Sequence, residues 1–141
     1  MKICLNTSTI KPVPLLEKIK LADEAGYEGI ELWLNDVWEF VARGGEVSEI
    51  SRALDDHGLI VPSVIAMRQW GDFEGWEHQL VLDEARRRFA LGARLGAPFI
   101  VATPPLENPE TSHLAARYKE LLQIGREEGI RPTFEYISFF K

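Results

Sequence analysis

A repeating unit dominates this chain: a short apolar run, a polar loop, an amphipathic helical stretch and then a glycine that restarts the pattern. Gly26, Gly58, Gly96 and Gly129 end successive units, about one every 34 residues. A strand, a crossover helix and the next parallel strand together take about 30 residues or more. Strands joined through helices run parallel, because the crossover returns the chain to the same edge of the sheet. The sequence therefore predicts an α/β protein with a parallel sheet.

The apolar runs and helical stripes predict where the strands and helices lie. Pro12 and Pro14 suit the entrance of the first helix, since proline lacks only an N–H that the first helical turn leaves unpaired. After the second strand we predict a loop containing Gly44 and Gly45, and then a helix. Asn108 predicts the N-terminal cap of the last helix. The five predicted strands cover residues 3–7, 29–34, 60–67, 99–103 and 133–138.

Two architectures alternate strands and helices strictly: an open doubly wound sheet, and the eight-unit TIM barrel, which typically takes about 250 residues. The central strands of a doubly wound sheet are apolar on both faces. Here the predicted strands instead carry polar residues: Asn6, Glu31, Ser63, Thr103 and Glu135. We therefore predict that residues 1–141 form a single domain, a partial (β/α)8 TIM barrel of about four βα units plus a fifth strand, with the helices outside. The open sheet stays an alternative, because polar residues also occur at the ends of open-sheet strands.

Charge and cysteine content narrow the class of partner. The chain has 16 Lys and Arg against 22 Asp and Glu, a net charge of −6, which does not suit a nucleic-acid binder that relies on a basic face. Its one cysteine, Cys4, cannot close an intrachain disulfide, which indicates a reducing compartment. No stretch approaches the roughly 18 apolar residues of a membrane span, and the first residues do not resemble a signal peptide. We predict a cytoplasmic protein that binds neither nucleic acid nor membrane.

Two carboxylates in apolar strands are the strongest candidates for chemistry. Glu135 lies in the predicted fifth strand, where an unpaired carboxylate carries a large desolvation penalty. The carboxyl ends of the strands form the active face of a parallel barrel, so Glu135 is a candidate metal ligand or general base. Glu31 shares one face of the second strand with Trp33, and two carboxylates on one face can divide acid and base roles. The structural alternatives are an ion pair for Glu135 and hydrogen bonds from neighbouring groups for Glu31.

Residues at the predicted strand ends and in the longest loop are candidates for binding a substrate. These are Asn6, Trp33, Met67, Trp70 and Thr103. Long loops at the active face of a barrel often act as lids, and residues 68–75 form the longest irregular loop of this chain. Trp70 and Phe73 therefore either cover a substrate or pack over the top of the barrel.

The histidines and the basic run at residues 86–88 favour structural roles. His57 is expected at the end of a helix, where a partial positive charge complements the helix dipole. His78 and His113 fall near helix starts on segments that we expect to be exposed, and no histidine pair has the spacing of a local zinc motif. The three arginines are expected to form a solvated face that answers neighbouring carboxylates; the alternative for this run is a phosphate clamp. Dinucleotide, P-loop and serine-hydrolase motifs are absent from the sequence.

Several segments together resemble one known family: residues 1–6, 25–31, 96–101 and 134–136. The segment Gly-Tyr-x-Gly-Ile-Glu at 26–31 is moderately specific for the superfamily. These segments are similar to the sugar phosphate isomerase/epimerase family of xylose isomerase-like TIM barrels, nearest to the inosose isomerases of inositol catabolism. The resemblance spans the whole chain and only the N-terminal half of a full family member.

The resemblance implies an isomerase or epimerase that acts on a small-molecule sugar or cyclitol. It implies proton abstraction next to a carbonyl through an enediolate, with a divalent metal, Mn, Mg, Co or Zn, offsetting the negative charge. Family members hold this metal by Glu, Asp, His and Glu. Glu135 matches the first ligand, and the other three would lie beyond Lys141. Glu31 matches a carboxylate often seen at the end of the second strand.

Two functional hypotheses remain open. The first is a metal-dependent isomerase or epimerase, active or truncated and inactive alone, in which Glu135 and Glu31 are catalytic and Glu135 also binds the metal. The second is non-catalytic: a half-barrel that serves as an assembly module. A half-barrel has two open sheet edges, so we predict a homo-oligomer formed through these edges.

Overall fold

The computed structural model describes residues 1–105 and 111–137, and its centre is a parallel β-sheet. The strands are β1 Cys4–Asn6, β2 Gly29–Trp33, β3 Val64–Met67, β4 Phe99–Ala102 and β5 Arg131–Phe134. Their order across the sheet is β1-β2-β3-β4-β5, the same as their order in the chain. The predicted cap at Asn108 and the predicted end of the fifth strand at Ser138 lie outside the described residues.

The strand order distinguishes the two predicted architectures. A doubly wound sheet reverses its order at a switch point, so consecutive strands are not all neighbours. Here each strand from β2 to β5 pairs in parallel with the strand before it. Right-handed crossovers between such consecutive strands place all the helices on the same face of the sheet. The chain therefore forms part of a (β/α)8 TIM barrel, as predicted, and it is not an open doubly wound sheet.

Five α-helices of the described residues cover the outer face of this sheet. They are α1 Leu15–Glu24, α2 Leu34–Ala42, α3 Val47–Asp56, α4 Gly75–Arg94 and α5 Thr111–Glu128. The four glycines predicted to end the units each have a positive φ, between 63° and 80°, which confirms the predicted unit boundaries. Within the described part of the chain, every helix is too short or too polar to cross a membrane.

Helix α2 occupies residues for which the sequence predicts a strand end and a loop. The alternation of Ile30, Leu32 and Leu34 predicts a strand through residue 34, but β2 ends at Trp33 and Leu34 begins the helix. Leu34 and Val37 are both fully buried, and their spacing of three residues is helical. The prediction was wrong because Leu34 fits both the alternation of the strand and the spacing of a helix that follows without a linker.

Two strands differ from their predicted bounds. β3 begins four residues later than predicted, although Ile60 forms one isolated parallel bridge with Gly29. β5 begins earlier than predicted and ends at Phe134, so Glu135 follows the strand and is not part of it. The Glu135 side chain is half-buried. It therefore carries less of the desolvation penalty that a position inside the strand would impose.

The apolar core lies between the sheet and the helices, and the inner face of the sheet is open. Ile30 and Leu32 of β2 are fully buried under the helical layer. Ile65, Val101 and Thr133 lie side by side across β3, β4 and β5, and each is only half-buried. In a complete barrel such inward-facing side chains fill the interior in layers. The open inner face ends at the carboxyl ends of the strands, where the predicted site residues lie.

An aromatic cluster joins α5 to the loop after β3. The rings of Trp70, Tyr118 and Phe134 have centroids 5.7 to 6.1 Å apart. The Tyr118 hydroxyl donates a 2.9 Å hydrogen bond to the Pro132 carbonyl oxygen. Burial of this phenol raises the pKa of Tyr118 above 10.0. Tyr118 therefore ties α5 to β5 through both its ring and its hydroxyl.

Tyr118→Phe is expected to lower the free energy of unfolding by about 1 kcal/mol, because the ring stays and one hydrogen bond is lost. Unfolded Tyr118 ionises before the folded form, so its contribution to wild-type stability is present below pH 10.0 and is lost as the pH rises through the folded-state pKa. The stability difference between the two proteins should therefore narrow from about pH 8 to about pH 10.5 in urea unfolding. Equal stabilities at the lower pH would contradict the contribution of the hydrogen bond.

Candidate active site

The carboxyl ends of β1 and β2 bring Asn6, Glu31 and Trp33 into one hydrogen-bonded set, which we name the Asn6 group. The parallel register pairs Asn6 with Glu31. Asn6 Nδ2 donates a 2.5 Å hydrogen bond to Glu31 Oε2, and Asn6 Oδ1 accepts a 3.2 Å bond from Trp33 Nε1. The backbone N–H of Ser8 donates to the same Oδ1 at 2.8 Å, which fixes the orientation of the amide. The structure thus brings together three of the residues predicted for the site.

Glu31 has a hydrogen-bond donor on each carboxylate oxygen. Oε2 accepts from Asn6, and Oε1 accepts a 2.5 Å bond from the Ser63 hydroxyl, just before β3. Among the described residues no cation forms an ion pair with Glu31, whose side chain is half-buried. This geometry matches the alternative in which neighbouring groups hold Glu31. Each oxygen keeps a lone pair that a hydroxyl of a bound molecule can use.

Two cations that the sequence did not identify lie against Trp33. Lys11 Nζ is 4.9 Å and Arg68 Cζ is 5.3 Å from the centre of the Trp33 ring. The negative face of an aromatic ring attracts cations at such distances. Arg68 directly follows the last residue of β3, and this place at a strand end could have identified it as a candidate site residue from the sequence. Lys11 lies far from Trp33 in the chain, so only the tertiary structure reveals it.

Met67, Trp70 and Thr103 form a second set at the ends of β3 and β4. Trp70 Nε1 donates a 2.7 Å hydrogen bond to the Thr103 carbonyl oxygen, and the Thr103 N–H donates a 3.0 Å bond to the Met67 carbonyl oxygen. Only 1% of Trp70 and 1% of Met67 is exposed, whereas Thr103 is half-buried. The burial of Trp70 agrees with the alternative in which it packs over the top of the barrel. Substrate binding by these three residues stays a prediction.

Glu135 lies at the carboxyl end of β5, on the same rim as Glu31. Its backbone N–H donates a 3.1 Å bond to the Ala102 carbonyl oxygen, and its side chain forms no ion pair with any described residue. Three strand spacings separate β5 from β2 in the sheet. At about 4.8 Å per spacing, the two strands are up to about 14 Å apart. The two carboxylates therefore follow strands that lie on the same rim but are not neighbours in the sheet.

The histidines do not assemble a metal site. In the described ranges no three His, Cys, Asp or Glu side chains cluster so that they could hold a metal ion. His57 is the C-terminal cap of α3, as predicted, and its Nδ1 lies 2.7 Å from Asp23 Oδ2. His78, predicted to be exposed, is only 3% exposed because α5 packs on α4, and its Nε2 lies 2.8 Å from Glu120 Oε2. The residues that the structure describes therefore do not by themselves form a complete site for a divalent metal.

The basic run on α4 divides between two environments. Arg86 Nη1 lies 3.1 Å from Asp83 Oδ1, and Arg87 Nη2 lies 3.1 Å from Glu84 Oε2, which confirms the predicted solvated face for these two. Arg88 is half-buried and donates a hydrogen bond to a carbonyl oxygen of β3. Arg88 pairs with Glu84 at 2.9 Å, as predicted, but its predicted solvated position was wrong, because helical periodicity turns the third of three consecutive residues towards the sheet.

A half-barrel with polar side chains at the carboxyl ends of its strands has the arrangement of (β/α)8 barrel enzymes. The family described as xylose isomerase-like TIM barrel matches residues 19–140 of this chain. The chain belongs to this family.

Individual relatives and solved structures agree with this assignment. A 3-dehydroshikimate dehydratase of Pseudomonas aeruginosa is 26% identical over 133 residues, which cover 89% of this chain and 20% of that protein. The IolI protein, solved with a zinc atom bound, is 18% identical with a TM-score of 0.85, over 97% of this chain and 52% of that one. The E. coli 3-keto-D-glucoside 4-epimerase YcjR is 20% identical with a TM-score of 0.76, over 99% of this chain and 57% of that one. The chain thus spans about half the length of these two structures and about a fifth of the dehydratase.

Proposed function

We propose that this chain forms the N-terminal half of a barrel enzyme that isomerises or epimerises a sugar or cyclitol next to a carbonyl. The Asn6 group is the observation that carries the proposal, because it fixes a carboxylate and an aromatic ring at the carboxyl ends of adjacent strands. Membership in the xylose isomerase-like family supports it, as does a shared fold with a 3-keto-D-glucoside 4-epimerase.

The Asn6 group binds and orients the substrate in this proposal. Glu31 is anchored by Asn6 and Ser63, so its remaining lone pairs have fixed directions and accept hydrogen bonds from substrate hydroxyls. The indole of Trp33 is held by its hydrogen bond to Asn6, and it forms one side of the proposed binding site. Preorganised groups of this kind lower the entropic cost of orienting a substrate.

Glu135 carries the proton. No described side chain donates a hydrogen bond to its carboxylate or pairs with it, in contrast to Glu31, so this carboxylate is available as a base. Isomerisation or epimerisation removes a proton from the carbon next to a carbonyl, which gives an enediolate, and then returns a proton to carbon. A half-buried carboxylate at the mouth of the barrel suits both steps.

The proposal assigns no reaction step to a metal. A related structure, the IolI protein, has a zinc atom bound. The described part of this chain contributes Glu135 as one candidate ligand and no set of three, so it does not fit a complete metal site. Every role proposed above therefore belongs to a residue of this chain.

Glu135→Gln is expected to slow proton exchange at the substrate carbon by at least about 100-fold, because an amide does not accept the proton. The measurement is proton NMR of deuterium uptake from D₂O next to the carbonyl of an inosose or a 3-keto sugar, with and without added Mn²⁺. The matched control is Glu17→Gln, an exposed carboxylate on the outer helix α1, which should exchange at the wild-type rate. Circular dichroism checks that both variants fold.

A second candidate function is the non-catalytic assembly module, and the sheet edges favour it. In the described sheet β1 and β5 each pair with one neighbour only, so each presents an open edge to a second copy of the chain. The exchange experiment separates the two functions. Equal exchange by wild type and Glu135→Gln would contradict the role of Glu135. Absence of exchange in both proteins would reject the enzyme for this chain and favour the assembly module.

A further inference from the structure

Lys11, Arg68 and Arg88 gather beside Trp33 at the carboxyl ends of β2 and β3, and we name them the basic cluster. Arg68 and Arg88 line one small cavity of about 40 Å³. The other residues that line it are Trp33, Asn35, Ile65 and Ala66. Judged by the space that a buried water needs, this cavity holds about three water molecules or one group of similar size.

Arg88 reaches the cavity from the outer helical layer and is firmly held. Its Nε donates a 2.9 Å hydrogen bond to Glu84 Oε1, its Nη1 donates a 3.0 Å bond to the Ala66 carbonyl oxygen, and its guanidinium carbon lies 4.2 Å from the centre of the Trp38 ring. Burial lowers the pKa of Arg88; Glu84 partly offsets this, and the charge of Arg68 lowers the pKa further. The fold therefore keeps two like charges close enough to repel each other.

Lys11 and Arg68 form no ion pair with any described residue. This sets them apart in a chain that has 22 acidic residues and a net charge of −6. All three arginines at residues 86–88, in contrast, have a carboxylate partner. Gln69, next to Arg68, has a φ of 62°, a left-handed conformation that non-glycine residues adopt rarely and that concentrates at binding sites. Arg68 and Arg88 at one small cavity, with Lys11 against the Trp33 ring that also lines it, indicate a site for an anion.

We propose that the basic cluster binds an oxyanion, the carboxylate or phosphate group of the substrate, in the cavity beside Trp33. The guanidinium of Arg68 can donate paired hydrogen bonds to either oxyanion. Arg88 adds its Nη2, which donates to no described residue, and the ammonium of Lys11 adds a point charge. Trp33 connects this subsite to the Asn6 group through its hydrogen bond to Asn6. The inference rests on the proposed function in one respect: it takes the substrate hydroxyls to bind at Glu31. It narrows the substrate to a sugar or cyclitol that carries an acid group or a phosphate ester.

The test is a titration of the ¹⁵N-labelled chain with inorganic phosphate and, separately, with acetate, at about pH 7 and constant ionic strength set with sodium chloride. The indole N–H signal of Trp33, assigned with Trp33→Phe, reports binding. Wild type should show a saturable shift. Arg68→Gln should weaken the dissociation constant at least about tenfold, since it removes charge-assisted hydrogen bonds. Lys11→Gln should also weaken it.

The control is Arg86→Gln, which removes an exposed arginine of α4 that pairs with Asp83 on the outer face, and it should bind as wild type does. Arg68 is exposed and donates no hydrogen bond to a described residue, so Arg68→Gln should keep the wild-type unfolding midpoint. Binding of phosphate alone supports a phosphate ester, and binding of acetate alone supports a carboxylic acid. A titration without saturable shifts for either anion, or with equal affinities for wild type and Arg68→Gln, overturns the proposal.

The anion titration is independent of the exchange assay. Glu135→Gln should bind phosphate or acetate as tightly as wild type, since Glu135 is not part of the basic cluster. Anion binding without any deuterium exchange would leave the subsite in place and reject the isomerase. Deuterium exchange without anion binding would support the isomerase and reject the anion subsite.

Discussion

Asp36→Ala is expected to lower the free energy of unfolding by about 3 to 5 kcal/mol, because it leaves the ammonium group of Lys18 buried without a partner. Lys18 Nζ lies 2.6 Å from Asp36 Oδ2, and only 1% of the Lys18 side chain is exposed. The pair joins α1 to α2, the helix that the sequence did not predict. Urea unfolding followed by circular dichroism measures the loss.

Lys18→Met is the matched comparison for this ion pair. Methionine fills much of the same space, and Asp36 has 24% of its side chain exposed, so water can solvate the carboxylate that remains. The expected loss is below about 1.5 kcal/mol, as for swaps that conserve volume. If Lys18→Met destabilises the chain as much as Asp36→Ala does, the penalty does not come from an isolated ammonium group, and the expectation is wrong.

Trp70→Ala is expected to destabilise the chain by about 3 to 5 kcal/mol, the range for large buried aromatic residues. Trp70 is 1% exposed, it contacts the rings of Tyr118 and Phe134, and its indole N–H donates to the Thr103 carbonyl oxygen. These contacts bind the loop after β3 to β4, β5 and α5. Trp70→Phe keeps part of the ring contact and should cost less.

Trp76→Ala provides the control for Trp70. Trp76 is 71% exposed on the first turn of α4, so its removal should change the free energy of unfolding by less than about 0.5 kcal/mol. Equal effects of the two substitutions would show that Trp70 is not part of the core, and would favour the alternative in which it acts as a lid. A larger loss of stability for Trp70→Ala than for Trp76→Ala would instead show that Trp70 anchors the loop after β3, two residues beyond Arg68.

The segment at residues 26–31, which carries the family resemblance, has a local physical explanation. Gly26 has a φ of 80° and follows α1, where a side chain would be strained. A Cβ added at Gly29 would lie 2.8 Å from both the Cys4 Sγ and the Ile60 carbonyl oxygen, so only glycine allows this approach. Glu31 then places its carboxylate beside Asn6. Such requirements of turn, close approach and strand end are visible in a sequence because they concern neighbouring residues.

The candidate site is only partly predictable from the sequence, because some of its features follow from local pattern and others join segments remote in the chain. Asn6, Glu31 and Trp33 could be assigned to one face, because strand alternation and the carboxyl end of each strand follow from local pattern. Their hydrogen bonds depend on the register between β1 and β2, which a single sequence does not specify. Lys11 and Arg88 reach the rim from a loop and from an outer helix, and no sequence spacing relates them to Trp33.

The sequence by itself determined the β/α unit, its length, the parallel direction of the strands and the carboxylates at their ends, because periodicity and turn chemistry act over a few residues. The tertiary structure alone decided the strand order that makes the sheet part of a barrel. It also decided the burial of Lys18 and His78, the packing of Trp70, and the meeting of two arginines at one cavity beside Trp33. These depend on distances between segments remote in the chain, which only the packing of helices on the sheet sets.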